Sequence, residues 1–151
     1  MYKFGKITII CVGSLKEDYL RGAQAEFLKR LGPYGRLTVL ELPAENCPQK
    51  EGAKILKALA SNSYKIALSL DGQAPNSEKF AKTLRNLAIN GHSHLEFIIG
   101  GSLGLDPRIS NICSFSLSLS GLTFTHQLAR IILLEQIYRA CRILNNQPYH
   151  K

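Results

Sequence analysis

The chain has 151 residues, 45% of them hydrophobic, and a formal charge of +8, which suits one domain burying roughly two-thirds of its unfolded surface without staples. No apolar run approaches the roughly 18 residues that a membrane span needs. Cys11, Cys47, Cys113 and Cys141 form no C-x-x-C and have no His at ligand spacing, so buried free thiols are expected rather than a disulfide framework or a metal site.

The start, Met1 to Lys6, passes directly into a strand-like segment without the apolar region of a signal peptide, and a cytoplasmic protein is expected. Lys6 to Val12 is β-branched and apolar, as in a strand covered on both faces. After Gly13, Ser14-Leu15-Lys16-Glu17 fits the capping box S-x-x-E. Tyr19, Leu20, Ala23, Phe27, Leu28 and Leu31 then recur at helical spacing until Gly32-Pro33.

Leu37 to Leu42 predicts a second strand, and the loop Pro43 to Pro48 leads to a helix with Ala53, Leu56, Leu59 and Ala60 on one side. Tyr64 to Leu70 predicts a third strand, ended by a turn at Asp71-Gly72. Asn76 suits the cap of a helix carrying Phe80, Leu84, Leu87 and Ala88, closed by Asn90-Gly91. His92 and His94 fall in the turn before residues 95–99, a fourth, buried strand. That strand stops in the glycine loop Gly100-Gly101-Ser102-Leu103-Gly104, which leaves a backbone that a ligand can approach closely.

Asp106-Pro107 opens a short helix over 107–112. Ser114 to Ser120 alternates at period two and reads as a fifth strand. A last helix, Thr125 to Leu144, is apolar around most of its circumference, which predicts burial on two sides and a subunit interface. Strands alternating with helices indicate an α/β fold: a mainly parallel sheet of five to six strands with helices on both faces, in a single domain over 1–151. The glycine loop matches neither a P-loop nor a dinucleotide fingerprint.

The C-terminal third carries the specific signal. Gly100-Gly101-Ser102-x-Gly104-Leu105 is followed by Leu117-Ser118-Leu119-Ser120-x-Leu122-Thr123-Phe124-x-His126-Gln127, by Glu135-Gln136-x-Tyr138-Arg139-Ala140, and by a closing Pro148-Tyr149-His150-Lys151. Together these closely resemble the ribosomal RNA large subunit methyltransferase H family, a branch of the SPOUT methyltransferases. The likeness runs the whole chain, from Lys6-Ile7-Thr8 through Leu31-x-Pro33-Tyr34 to the tail.

The resemblance implies a C-terminal trefoil knot, a homodimer, bound S-adenosylmethionine, and methylation of N3 of a pseudouridine in large-subunit rRNA of assembled ribosomes. It implies a cofactor site at Leu68, Gly100, Leu119, Ser120, Gly121, Leu122, Thr123 and Phe124; transfer from a sulfonium requires no metal, and no membrane partner is expected. The sequence departs from the family at Thr125, where many members have Pro, and at Gly121, often a residue with a side chain.

Methyl transfer to N3 of pseudouridine must remove an imide proton, so a base or an anion-stabilising group is expected. His150 is the first candidate, with Tyr149 stacking or hydrogen bonding beside the base; His126 competes. Glu135 and Arg139 stand four apart on the last helix, with Arg139 facing RNA or holding the tail. Arg130 and Arg142 are candidates for phosphate contact, and Lys16, Arg21, Lys29, Arg30 and Arg36 for a solvated face that attracts rRNA. Two other readings are a non-enzymatic dimeric RNA- or ribosome-binding protein of the same fold, and a flavodoxin-like nucleotide-binding domain, which leaves the C-terminal motifs unexplained.

Overall fold

A computed structural model describes residues 1–151. The elements are β1 (Lys6–Val12), α1 (Asp18–Leu31), β2 (Arg36–Leu42), α2 (Pro48–Ala58), β3 (Tyr64–Gln73), α3 (Ser77–Ile89), β4 (His94–Ile99), α4 (Pro107–Ile112), β5 (Phe115–Leu117) and α5 (His126–Leu144), with one turn of 3₁₀ helix at Gly32–Tyr34. The five strands form one sheet in the order β2-β1-β4-β3-β5. Every pairing is parallel.

β1 shows why the fold is layered. Ile7, Ile9 and Cys11 face a core shared with Leu31, Phe80, Leu84, Leu133 and Ile137, while Ile10 and Val12 face a smaller core with Ile55 and Ile109. Alternate side chains thus point to α1, α3 and α5 on one side and to α2 and α4 on the other. A strand covered on both faces reads as a continuous apolar run.

Several ends follow the sequence. Asn76 Oδ1 accepts from the Lys79 N–H at 2.8 Å and Asp106 Oδ1 from the Arg108 N–H at 2.9 Å, each satisfying an orphan donor of a first helical turn. The Arg108 guanidinium, bonded to Asp106 Oδ2 at 2.8 Å, holds that carboxyl below its usual range. Gly91, at φ +87°, closes α3.

Some expectations are corrected. The box at Ser14 does not cap α1, which begins at Asp18 with Glu17 in the cap position and no side-chain bond. Residues 13–17 are instead tied to α5, where Gln127 Oε1 accepts from the Lys16 N–H at 3.0 Å. α2 turns Glu51, Gly52 and Ile55 inward, leaving Ala53 and Leu56 exposed. Gly52 decides that orientation, since a Cβ there would stand 2.5 Å from Asp106 Oδ2.

β3 continues past the expected turn to Gln73, although Leu68 and Gln73 both pair with Leu117, so the residues between them leave the ladder. Gly72 makes the return possible; a Cβ there would meet Ser116 O at 2.6 Å. β5 ends at Leu117 instead of Ser120. Beyond it the serines bond locally, Ser118 Oγ donating to Ser120 O at 2.9 Å and Ser120 Oγ accepting from the Leu122 N–H at 3.0 Å, which turns the chain out of the sheet.

The apolar girth of α5 is largely consumed inside the chain. The helix packs against α1 and α3, and Leu133, Leu134, Ile137, Ala140 and Cys141 are buried. Cys11 and Cys141 are buried free thiols, raised by desolvation to about 11 and about 12 respectively, whereas Cys47 and Cys113 are half-buried.

His94 is the first residue of β4, not part of a turn, and its Nε2 lies 3.0 Å from Thr8 Oγ1. Burial lowers its pKa, with Lys6 and Lys65 adding to the effect and Glu96 opposing it. The unfolded chain therefore takes up this proton at a higher pH than the folded one. Stability from this group is full above the unfolded His value of about 6.5 and falls as pH drops from there through the lowered folded value. Urea midpoints between pH 7.5 and pH 5.5 are expected to decline, and to decline less in His94→Asn; an unchanged slope in the variant would remove His94 from the account.

Candidate functional site

A cavity of about 770 Å³ opens at the C-terminal edge of β3, β4 and β5, the edge at which parallel sheets bind ligands. Its walls are the outbowed end of β3 (Leu68 to Asp71), the glycine loop after β4, the segment from Leu117 to Thr125, and the first turn of α5 at His126, Gln127 and Ala129. Loop geometry follows from Gly104, at φ +80°, and from the bond of its N–H to Gly101 O at 3.1 Å.

Of the cofactor positions expected from sequence, Leu68, Gly100, Leu119, Ser120, Leu122, Thr123 and Phe124 line this cavity. Gly121 does not; it is exposed, and a Cβ there would meet nothing within 4 Å. Leu68 and Leu119 also pack against the main core, so they are wall and core at once. At the rim Leu70 and Leu122 are 61% and 72% exposed, apolar surface well placed for a ligand to cover. The departure at Thr125 leaves room for the same backbone: its φ of −59° is within proline's range, and its Oγ1 caps α5 by accepting from the Leu128 N–H at 3.2 Å.

Sequence reasoning missed Ser69, Leu70 and Asp71, because the dipeptide Asp71-Gly72 signals a turn and hides the bowing of β3 toward the cavity. It also left the role of His126 open. That ring lines the cavity beside Gly13, whose built Cβ would stand 3.5 Å from His126 Nε2.

The four expected catalytic residues form a second cluster. Glu135 Oε1 accepts from Arg139 Nη2 at 2.6 Å and Nε at 3.1 Å, and from Tyr149 Oη at 3.0 Å. The Arg139 guanidinium lies 4.7 Å from the Tyr149 ring centroid, and its Nη1 donates to His150 Nδ1 at 3.3 Å. Tyr149 packs edge-on against Tyr138 at 4.9 Å. Burial, then the bond to Glu135, raise the Tyr149 pKa. His150 Nε2 faces Glu78 at 3.6 Å.

Arg139 therefore holds the tail. So does Arg142, which donates to Pro148 O from Nη2 at 2.9 Å and Nε at 3.2 Å and to Tyr34 Oη at 3.2 Å. Arg130 is too deeply buried to reach a phosphate, which corrects that expectation. It is 1% exposed and binds Glu41 at 2.6 Å, Gly13 O at 3.1 Å and Gln24 at 3.2 Å. Lys16, Arg21, Lys29, Arg30 and Arg36 are all exposed.

The cluster and the cavity are separate within one chain. Neither Glu135, Arg139, Tyr149 nor His150 lines the cavity, whose last α5 residue is Ala129. Along the axis, Glu135 and Arg139 are about 9 and about 15 Å farther on.

A family model described as predicted SPOUT methyltransferase matches residues 6–150. Curated relatives named ribosomal RNA large subunit methyltransferase H include proteins of Clostridioides difficile at 48% identity, Bifidobacterium adolescentis at 46% and Halothermothrix orenii at 44%. The alignments cover 96–97% of this chain and 99% of each relative.

Proposed function

Because this chain belongs to the SPOUT methyltransferases, in the branch of the ribosomal RNA large subunit methyltransferases H, we propose that it methylates N3 of a pseudouridine in the large-subunit rRNA of assembled ribosomes. It draws the methyl group from S-adenosylmethionine and acts as a cytoplasmic homodimer, its 1–151 unit closed by a C-terminal trefoil knot. The cavity carries the proposal: seven of the eight expected cofactor positions meet there, and about 770 Å³ is a volume typical of cofactor sites.

The wall chemistry fits a nucleoside sulfonium. Leu68, Leu119, Leu122 and Phe124 offer apolar surfaces for the adenine, while the backbone around Gly100 and at Ser120 and Thr123 offers donors and acceptors for polar edges. The bound cofactor supplies an activated methyl group on a positively charged sulfur. The chain's task is then alignment of the attacking nitrogen and removal of its proton.

In this reading Arg139 Nη1 leaves His150 Nδ1 and turns to stabilise the anion forming on the base, His150 takes the N3 proton on the freed Nδ1, and Tyr149 stacks beside the base. Glu135 orients both Arg139 and Tyr149. The distance between tail cluster and cavity in one chain supports a site completed across two subunits, one providing the cavity and the other the tail.

The test is transfer of tritium from methyl-labelled S-adenosylmethionine to assembled ribosomes, free subunits and naked rRNA that lack the modification, with the labelled base mapped. Label on one stem-loop pseudouridine, mainly in assembled ribosomes, is the expected result. Cofactor binding without label on any of them would favour the non-enzymatic RNA-binding reading. Flavin or nucleotide binding without affinity for S-adenosylmethionine would favour the nucleotide-binding domain.

A further inference from the structure

Among buried side-chain oxygens, Glu51 Oε1 alone has no hydrogen-bond partner. Glu51 is 3% exposed, in the first turn of α2, and its other oxygen accepts from the Glu45 N–H at 2.9 Å. That bond anchors the loop between β2 and α2, and a neutral amide would make it equally well. A second, unpaired carboxylate oxygen costs free energy that anchoring does not require.

The unpaired oxygen faces the glycine loop. A Cβ built on Gly101 would stand 3.6 Å from Glu51 Oε1 and 3.1 Å from Val12 Cγ1. Gly101 and Ser102 line the cavity, and the N–H groups of Ser102 and Leu103 donate to no group of the chain. The unpaired acceptor therefore stands against a loop whose exposed N–H groups at Ser102 and Leu103 have no partner within the chain.

We propose that Glu51 is a positioning residue for the glycine loop: with S-adenosylmethionine in the cavity, the loop settles against α2 and a backbone N–H of residues 101–103 donates to Glu51 Oε1. The inference rests on the cofactor reading given above. Charge on the acceptor makes that bond stronger than a neutral one, and it forms only in the filled state.

The test is calorimetric titration with S-adenosylmethionine and amide hydrogen exchange on the intact protein, comparing wild type with Glu51→Gln and Glu51→Asp. Gln keeps the bond to the Glu45 N–H through its amide oxygen but turns an NH₂ toward the loop; Asp keeps the charge but falls short. Both variants are expected to bind about tenfold or more weakly, and to lose the cofactor-induced slowing of exchange at Ser102 and Leu103. Without cofactor, Glu51→Gln is expected to melt no lower than wild type, since it buries no charge. Wild-type affinity and protection in Glu51→Gln would overturn the inference, as would weaker binding matched by an equal loss of cofactor-free stability. A wild-type protein that binds no S-adenosylmethionine would sink the cofactor reading and this inference with it.

Discussion

Deleting Tyr149–Lys151 is expected to abolish methyl transfer while changing the affinity for S-adenosylmethionine less than twofold. Loss of a general base alone costs about 10²–10⁴ in rate, and the deletion also removes the ring that packs on Arg139. Binding survives because no tail residue lines the cavity. Folding survives as well, because the turn that brings the tail back is held by Arg142 on Pro148 O, upstream of the cut. Single-turnover rates and calorimetry on the truncated protein measure the two effects separately.

The same deletion reports whether the site is shared. Truncated chains mixed with full-length Gly101→Val chains, whose added side chain would press on Val12 in the core behind the glycine loop and displace that cavity-lining loop, are expected to regain activity in mixed dimers, where one subunit supplies an intact cavity and the other an intact tail. Normal turnover by the truncated protein alone would remove the tail from the chemistry.

Arg130→Ala has the largest expected effect on stability, a loss of about 3 kcal/mol from charge-assisted hydrogen bonds and packing of the buried stem. Arg130 joins α5 at once to the β1–α1 loop, to β2 and to α1, through Gly13 O, Glu41 and Gln24. Glu41 is 42% exposed and can turn to water, so the Gly13 carbonyl and the vacated space account for most of the loss. Arg130→Met, which retains the stem volume, is expected to lose roughly half as much. Urea unfolding resolves the difference, and equal midpoints for wild type and Arg130→Ala would show that the buried guanidinium contributes nothing net.

What was legible in the sequence divides along physical lines. β1 and β4 were readable because burial on both faces leaves an apolar signature no turn can imitate, and Asn76 and Asp106 because a cap is decided by neighbours two or three residues away. The errors lie where distant contacts overrule local preference. Ser114 to Ser120 alternates like a strand, yet Ser118 and Ser120 bond their own backbone; Ser14 has a capping sequence, but Lys16 and Gly13 are claimed by α5. On α2 the apolar stripe through Leu56 lost to Gly52, whose value is close contact with Asp106 of another element, which no helical periodicity contains.

The candidate site was legible in a different way. Its cofactor wall and tail came from residue-by-residue likeness, and the cavity gathers all of that wall but Gly121. Periodicity alone would have assigned Leu68 and Leu119 to the core, which is also correct. Glu51 carried no sequence signal, since its meaning depends on one oxygen's lack of a partner.

The strand order β2-β1-β4-β3-β5 also governs how quickly such a chain can find its shape. The central ladder joins Lys6 to His94, 88 positions apart, and closing a loop of that length costs about 4 kcal/mol of chain entropy before the first pair is rewarded. Until then β1 has only β2 on one edge, and its other edge is an open row of amides and carbonyls flanked by isoleucines. Refolding is therefore slow beside that of a helical bundle of equal size, and protein concentration, through association at that edge, sets how much of the chain arrives.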